Sequence, residues 1–329
     1  MKTLIIKTHA KDADSIAFEW VEKSTPMLTA DECLIKIATS GINPSDALAT
    51  LGYFKNAVTP RIPGRDFSGE VVKGPTHMIG KKVWGTGGGA GIEFDGTQAE
   101  YIKLPAAALA EIPYNIDLLT AGGQTLPYTT AYYSLVKRAQ IKPYETVLVV
   151  GALGQVGRAA MSICQWKNSN AIALVRGKEE LAQALKLGWI AINSEEANLK
   201  EKILAANNDL PVNIILNSVG NIYWQAFIES LAEFGRIVTI GARENAREAT
   251  LNLFELYRSN QEIIGINTIA FDFNANAKFL NEMKSGFEQN KLTPLAVEKS
   301  MIYPPEQAVT AYQEVLQGKS GKRVVIQFN

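Results

Sequence analysis

The chain has 329 residues, long for one hydrophobic core, so two domains are expected. Apolar residues make up 47% and charged residues 20%, and 33 cationic side chains balance 33 anionic ones. That composition suits a soluble globular protein and gives no electrostatic basis for binding nucleic acid or an anionic membrane.

Met1-Lys2-Thr3 leads directly into a short strand, not a signal peptide, and no apolar run reaches the length of a membrane span. The only cysteines, Cys33 and Cys164, fall in a predicted strand and a predicted helix of different regions. No disulfide framework is expected, and a reduced cytoplasmic setting fits.

In chain order, the first hundred residues read as short strands punctuated by Gly and Pro: Leu4–Ile6, Glu32–Ala38, Gly69–Val72, Lys82–Trp84 and Gln98–Leu104. Gly85 to Gly91 (GTGGGAG) is glycine-rich, but no helix pattern follows it. It reads as a mobile turn flanking an entrance, without a phosphate role. Ala121–Lys137 looks helical. From Thr146 the pattern changes to strand–helix alternation. Strands are expected at Val147–Val150, Ala171–Val175, Ala191–Asn193, Val212–Leu216, Gly235–Ile240 and Ile263–Ile266, with helices at Arg158–Trp166, Glu179–Leu187 and Trp224–Ala232. That alternation defines an α/β fold with a doubly wound parallel sheet. Lys322–Gln327 is one more strand, expected to return to the first domain. Residues 1–117 with 291–329 are assigned to a discontinuous β-rich domain, and residues 118–290 to the α/β domain.

The chemistry concentrates at Val147 to Gly157 (VLVVGALGQVG), where a buried strand runs into Gly151, Gly154 and Gly157 before a helix. A helix start supplies backbone N–H groups and a partial positive charge for a pyrophosphate. Glycines let the phosphate approach. Gly151, Gly154, Gln155, Val156 and Gly157 are therefore candidate cofactor-binding residues. The second strand ends in Arg176-Gly177-Lys178. An NAD-binding chain usually carries an acid there, for the ribose 2′-OH. Arg176 and Lys178 either receive a 2′-phosphate, which favours NADPH, or are solvated residues at a helix start. The ends of later strands add Ser218 and Gly241 to the cofactor set.

Several segments resemble those of the medium-chain dehydrogenase/reductase superfamily. Ser40-Gly41-Ile42-Asn43-Pro44-Ser45-Asp46 is similar to its GxNxxD segment, and Pro63-Gly64-Arg65-Asp66-Phe67-Ser68-Gly69 to its GxExxG segment, with Asp66 for Glu. Asp95 to Tyr101 resembles the dGtxAEY strand, Asn217-Ser218-Val219-Gly220 the DxVG turn, and Gly318 to Val325 the terminal GxxxGKxV. The resemblance covers nearly the whole chain. It implies a GroES-like catalytic domain, a Rossmann cofactor domain and a homodimer. Zinc alcohol dehydrogenases of the superfamily have Cys where this chain has Asn43, and His where it has Arg65. The four-cysteine lobe of the structural zinc is also absent. Catalytic zinc needs three Cys, His or carboxylate ligands, so the chain resembles the zinc-independent branch of quinone oxidoreductases and enone, alkenal and enoyl thioester reductases.

By that resemblance, hydride from NADPH would add to a conjugated small-molecule acceptor, and the protein would donate a hydrogen bond to the oxygen that gains charge. Tyr53 stands near the position of the enoyl reductases' catalytic tyrosine, although Phe54 replaces the proline after it. It is either that donor or an aromatic lid. Asn43 either lies by the nicotinamide ribose or acceptor carbonyl, or makes an Asx turn before Pro44. Thr129 either lies beneath the nicotinamide or bonds its own helix backbone. Arg65 either pairs with Asp66 or Asp46, or faces the acceptor. Two alternatives stand beside the reductase: a nucleotide-binding protein of this fold with little turnover, and a zinc-dependent alcohol dehydrogenase.

Overall fold

The structure, a computed structural model, describes residues 1–318 and 321–328. Lys319 and Ser320, inside the terminal glycine–lysine segment, and Asn329 lie outside the described residues. The chain divides into one unit of Met1–Thr129, Thr268–Asn290 and Pro294–Asn329, and a second of Thr130–Asn267 and Lys291–Thr293.

The first unit begins with the antiparallel pair β1 (Lys2–Ile5) and β2 (Glu19–Glu22). β3 (Glu32–Gly41) follows, then α1 (Pro44–Thr50), β4 (Asp66–Lys73), β5 (Lys82–Thr86), β6 (Tyr101–Pro105), β7 (Ala110–Glu111), α2 (Leu118–Gly122) and α3 (Thr125–Tyr132). Cys33, Ile35 and Ile37 alternate along β3 and enter one core with Phe67, Val71, Val83 and Leu104. The single helix expected over Ala121–Lys137 is three pieces: α2, α3 and a π-helical turn at Tyr133–Arg138. Gly122, the last residue of α2, lies close against β3. A Cβ there would sit 2.8 Å from the Thr39 Cβ.

The second unit alternates strand and helix: β8 (Thr146–Val150), α4 (Gln155–Trp166), β9 (Asn170–Val175), α5 (Gly177–Lys186), β10 (Ile190–Asn193), α6 (Leu199–Ala206), β11 (Val212–Asn217), α7 (Trp224–Ser230), β12 (Leu231–Thr239), α8 (Leu253–Arg258) and β13 (Glu262–Gly265). The strands are parallel and ordered β10-β9-β8-β11-β12-β13. This is a doubly wound sheet whose order reverses between β8 and β11. Every residue of β8 is buried, as a strand covered on both faces requires.

The chain then returns to the first unit with α9 (Phe273–Glu288), β14 (Ile302–Tyr303), α10 (Ala308–Gln317) and β15 (Val325–Gln327). β15 pairs antiparallel with β3, Val325 opposite Gly41, completing the order β14-β15-β3-β4-β5-β7 with β6 also on β3. The units divide at Thr130 and Asn267, not at residues 118 and 290. α9 belongs with the β-rich unit because its aromatics do: Phe287 lies 5.7 Å from Trp84 and 4.8 Å from Tyr128, and Phe273 lies 6.0 Å from Phe67.

Gly85 to Gly91, expected as a mobile turn flanking an entrance, is buried. A Cβ on Gly87 would meet the Phe273 ring, and one on Gly88 would lie 2.5 Å from the Phe271 carbonyl. These glycines permit close packing of the returning segment.

Candidate active site

In the second unit the apolar β8 delivers the chain to Gly151, whose φ of +69° starts the tight turn into α4. Gly154 caps α4 in extended backbone conformation. At Gly157 the constraint is contact: a Cβ would lie 2.6 Å from the Ala152 Cα and strike the Gly151 carbonyl. The helix therefore starts tight against its own strand. Helix geometry leaves the first-turn amides of Val156 and Gly157 without intrahelical carbonyls. The reversal of strand order brings Ser218 beside this turn. Its hydroxyl donates to the Val150 carbonyl at 2.9 Å, and its Oγ is 3.1 Å from where a Gly151 Cβ would be. A Gly241 Cβ would find only the Ser218 carbonyl, at 3.6 Å. Gly151, Gly154, Gln155, Val156, Gly157, Ser218 and Gly241 thus share one end of one sheet. A missed residue, Asn217, shapes that end. Its Oδ1 accepts from the Val219 and Gly220 amides at 3.0 and 3.2 Å.

At the end of β9, Arg176 caps α5 and Lys178 follows in its first turn, both exposed. Arg176 Nε donates to Glu195 Oε1 at 3.1 Å, and the Arg176 backbone N–H donates to Glu180 Oε2 at 2.8 Å. Neither carboxylate was legible as part of this corner.

In the first unit the motif residues collect around Asp66, which is fully buried. Its Oδ1 accepts from the Thr125 hydroxyl at 2.8 Å and the Leu126 amide at 3.0 Å. Its Oδ2 accepts from Arg323 Nη2 at 2.7 Å and Asn43 Nδ2 at 3.0 Å. Asn43 Nδ2 also donates to Asp46 Oδ2 at 2.9 Å, and Asn43 Oδ1 accepts from Arg323 Nη1 at 2.9 Å. Both amide hydrogens of Asn43 are committed inside the protein, which leaves none for an acceptor carbonyl. The Asp46 carboxylate also receives the Asn43 backbone N–H at 2.7 Å, fixing the start of α1. Burial, opposed by Arg65 and reinforced by Asp66, raises the Asp46 pKa to about 6.

Arg65 does not pair with Asp66, whose ion-pair partner is Arg323. Its guanidinium instead donates to the Gly87 carbonyl at 3.3 Å, the Ser45 hydroxyl at 3.3 Å and the Thr268 carbonyl at 3.2 Å. Burial lowers its pKa from the ordinary value, opposed by the charges of Asp46 and Asp66. Thr129 is buried and donates to the Leu126 carbonyl at 3.2 Å, the backbone-bonded state of a helix hydroxyl. Tyr53 follows α1, is 42% exposed and meets Phe54 edge to face at 5.4 Å. Among the described residues, no group of three His, Cys, Asp or Glu side chains is arranged to hold a metal ion. Nor is any helix among them long and apolar enough to cross a membrane.

Residues 29–114 match the alcohol dehydrogenase GroES-like domain, and residues 156–284 match the zinc-binding dehydrogenase domain. A zinc-type alcohol dehydrogenase-like protein of Schizosaccharomyces pombe is 30% identical over 298 residues, covering 89% of this chain and 87% of the relative. A quinone oxidoreductase of Pongo abelii is 24% identical over 311 residues, covering 92% and 91%. A crystal structure of Escherichia coli quinone oxidoreductase complexed with NADPH has the same fold, with a TM-score of 0.82 at 20% identity over 100% of both chains. The chain belongs to the medium-chain dehydrogenase/reductase superfamily.

Proposed function

We propose that this protein is a reductase that transfers hydride from NADPH to a quinone or another conjugated carbonyl acceptor (enone, alkenal or enoyl thioester) without zinc. The observation that carries the reading is the tight glycine turn between β8 and α4 together with Arg176 and Lys178 at the end of β9. The turn suits a pyrophosphate on the amides of the α4 start. The two cations suit a 2′-phosphate. Reduced nicotinamide supplies the hydride. The family relationship and the quinone oxidoreductase relatives support the same class.

The donor set around Asp66 argues against zinc. Arg65 has no lone pair to give a metal and is cationic. Asn43 uses its amide to hold Asp66 and Asp46. Cys33 and Cys164 are free and fully buried, and burial pushes the Cys164 thiol up to about 12, far from thiolate character at neutral pH. Free cysteines also suit a cytoplasmic protein.

Without a Lewis acid, a conjugated acceptor is the easier substrate, because charge spreads onto an oxygen that one hydrogen bond can stabilise. Tyr53 is the donor in this reading, a phenol that follows α1 and is 42% exposed. Asn43 is a positioning residue that holds the Asp66 cluster. A homodimer is the expected assembly. β13 is a sheet edge with Ile263 exposed, and α8 beside it in sequence buries none of its residues, leaving Leu253, Phe254 and Tyr257 outside.

Titration with both nucleotides tests the cofactor reading. Arg176→Ala with Lys178→Ala should weaken NADPH at least tenfold more than NADH, on the order of one lost charge-assisted contact. Equal losses would remove the phosphate site. Tyr53→Phe should lower turnover with little change in NADPH affinity. An unchanged rate would make Tyr53 a packing residue.

A further inference from the structure

The corner that holds Arg176 also holds a carboxylate. Asn193 is buried, and its Oδ1 accepts from the Gly177 amide at 2.8 Å and the Glu195 amide at 3.1 Å. One side chain thus fastens the turn after β10 to the first residue of α5. The backbone of Glu195 is fixed beside Arg176 while its side chain stays half exposed. Its Oε1 lies 3.1 Å from Arg176 Nε, and its Oε2 is 3.5 Å from where a Cβ on Gly177 would be. The carboxylate therefore lies over the Arg176–Gly177 step.

From this we infer that Glu195 sets the discrimination between phosphorylated and unphosphorylated nucleotide. The inference rests on the reading of Arg176 as a 2′-phosphate contact. The Arg176–Glu195 pair is exposed on both sides, so it opens easily. A 2′-phosphate on Arg176 must displace Glu195 and then remain near its negative charge. An unphosphorylated ribose meets no such repulsion. Glu195 consequently weakens NADPH selectively and narrows the preference that Arg176 and Lys178 create.

The test is Glu195→Gln, which keeps the shape and removes the charge. NADPH and NADH are titrated calorimetrically into the wild type, Glu195→Gln and Arg176→Ala. Glu195→Gln should tighten NADPH by roughly five- to tenfold, the size of one like-charge contact in screened surroundings. NADH should stay within about twofold. Unchanged NADPH affinity in Glu195→Gln, with Arg176→Ala still weakening NADPH, would overturn the role of Glu195 alone. Weaker NADH in Glu195→Gln would also overturn it, because the carboxylate would then be a partner of the ribose hydroxyl. NADPH affinity unchanged in Arg176→Ala would sink the phosphate contact itself.

Discussion

Asp66→Asn tests the buried cluster most severely. The two oxygens of Asp66 each accept two hydrogen bonds, Oδ1 from Thr125 and Leu126, Oδ2 from Arg323 and Asn43. An asparagine there has one oxygen and one NH2. Turned toward Arg323 and Asn43, its NH2 faces two donors; turned the other way it faces the Leu126 N–H, since only the Thr125 hydroxyl can give its proton to the Gly85 carbonyl instead. The substitution also leaves the Arg323 guanidinium, only 2% exposed, without its carboxylate. Breaking a buried pair from one side costs about 3–5 kcal/mol, and a domain of this size loses roughly 2–4 °C per kcal/mol, so Tm should fall by about 10 °C. Urea unfolding followed by circular dichroism, beside a calorimetric scan, measures both quantities. A loss below about 1 kcal/mol, the range of an exposed pair, would refute the cluster as the anchor of β4, α3 and β15. Asp66→Asn combined with Arg323→Met should cost less than the two single changes together, since they share one interaction.

Asp46 gives a pH signature. Its folded pKa, about 6, lies above the ordinary 3.8, so the fold binds this proton more tightly than the unfolded chain does. Its contribution to stability is full below pH 3.8 and is lost as the pH rises through about 6. The loss is about 3 kcal/mol. Asp46→Asn should remove that slope from urea midpoints measured across the interval, whereas identical slopes would contradict the shift. Tyr144 adopts a φ of +69° with its side chain 85% exposed. Tyr144→Gly should therefore stabilise the second unit by about 0.5–1 kcal/mol after the entropy of glycine is counted, and a lower Tm would contradict that. Gly157→Ala places a Cβ 2.6 Å from the Ala152 Cα. It should reduce NADPH binding more than tenfold, because the turn must open; unaltered binding would remove the turn from the site.

The parallel sheet was legible because its strands are continuous apolar runs ended by glycine or by cations, as at Val147–Gly151 and Ala171–Arg176. Local patterning carries that information directly. The Asp66 cluster was only half legible. Asn43, Asp46 and Asp66 lie in recognisable segments, but Arg323 is 257 residues from Asp66. No local pattern encodes that pairing. The one available signal was an arginine inside the predicted terminal strand, Lys322–Gln327. For Arg65 the sequence left a carboxylate partner and an acceptor-facing role both open. Its guanidinium is held by the Gly87 and Thr268 carbonyls and the Ser45 hydroxyl, supplied from elsewhere in the chain. Gly87 and Gly88 looked mobile because glycine permits motion. They are in fact places where Phe273 and the chain before it come too close for a side chain. Glu195 escaped notice because the turn after β10, not the strand end at Arg176, brings it to Arg176.

The most direct measurement follows NADPH absorbance with a quinone in a buffer containing a zinc chelator. Steady consumption of NADPH, faster than with an unconjugated ketone, is the expected result. Consumption that appears only when zinc is restored, or none with any conjugated acceptor, would contradict a metal-free hydride transfer by this chain.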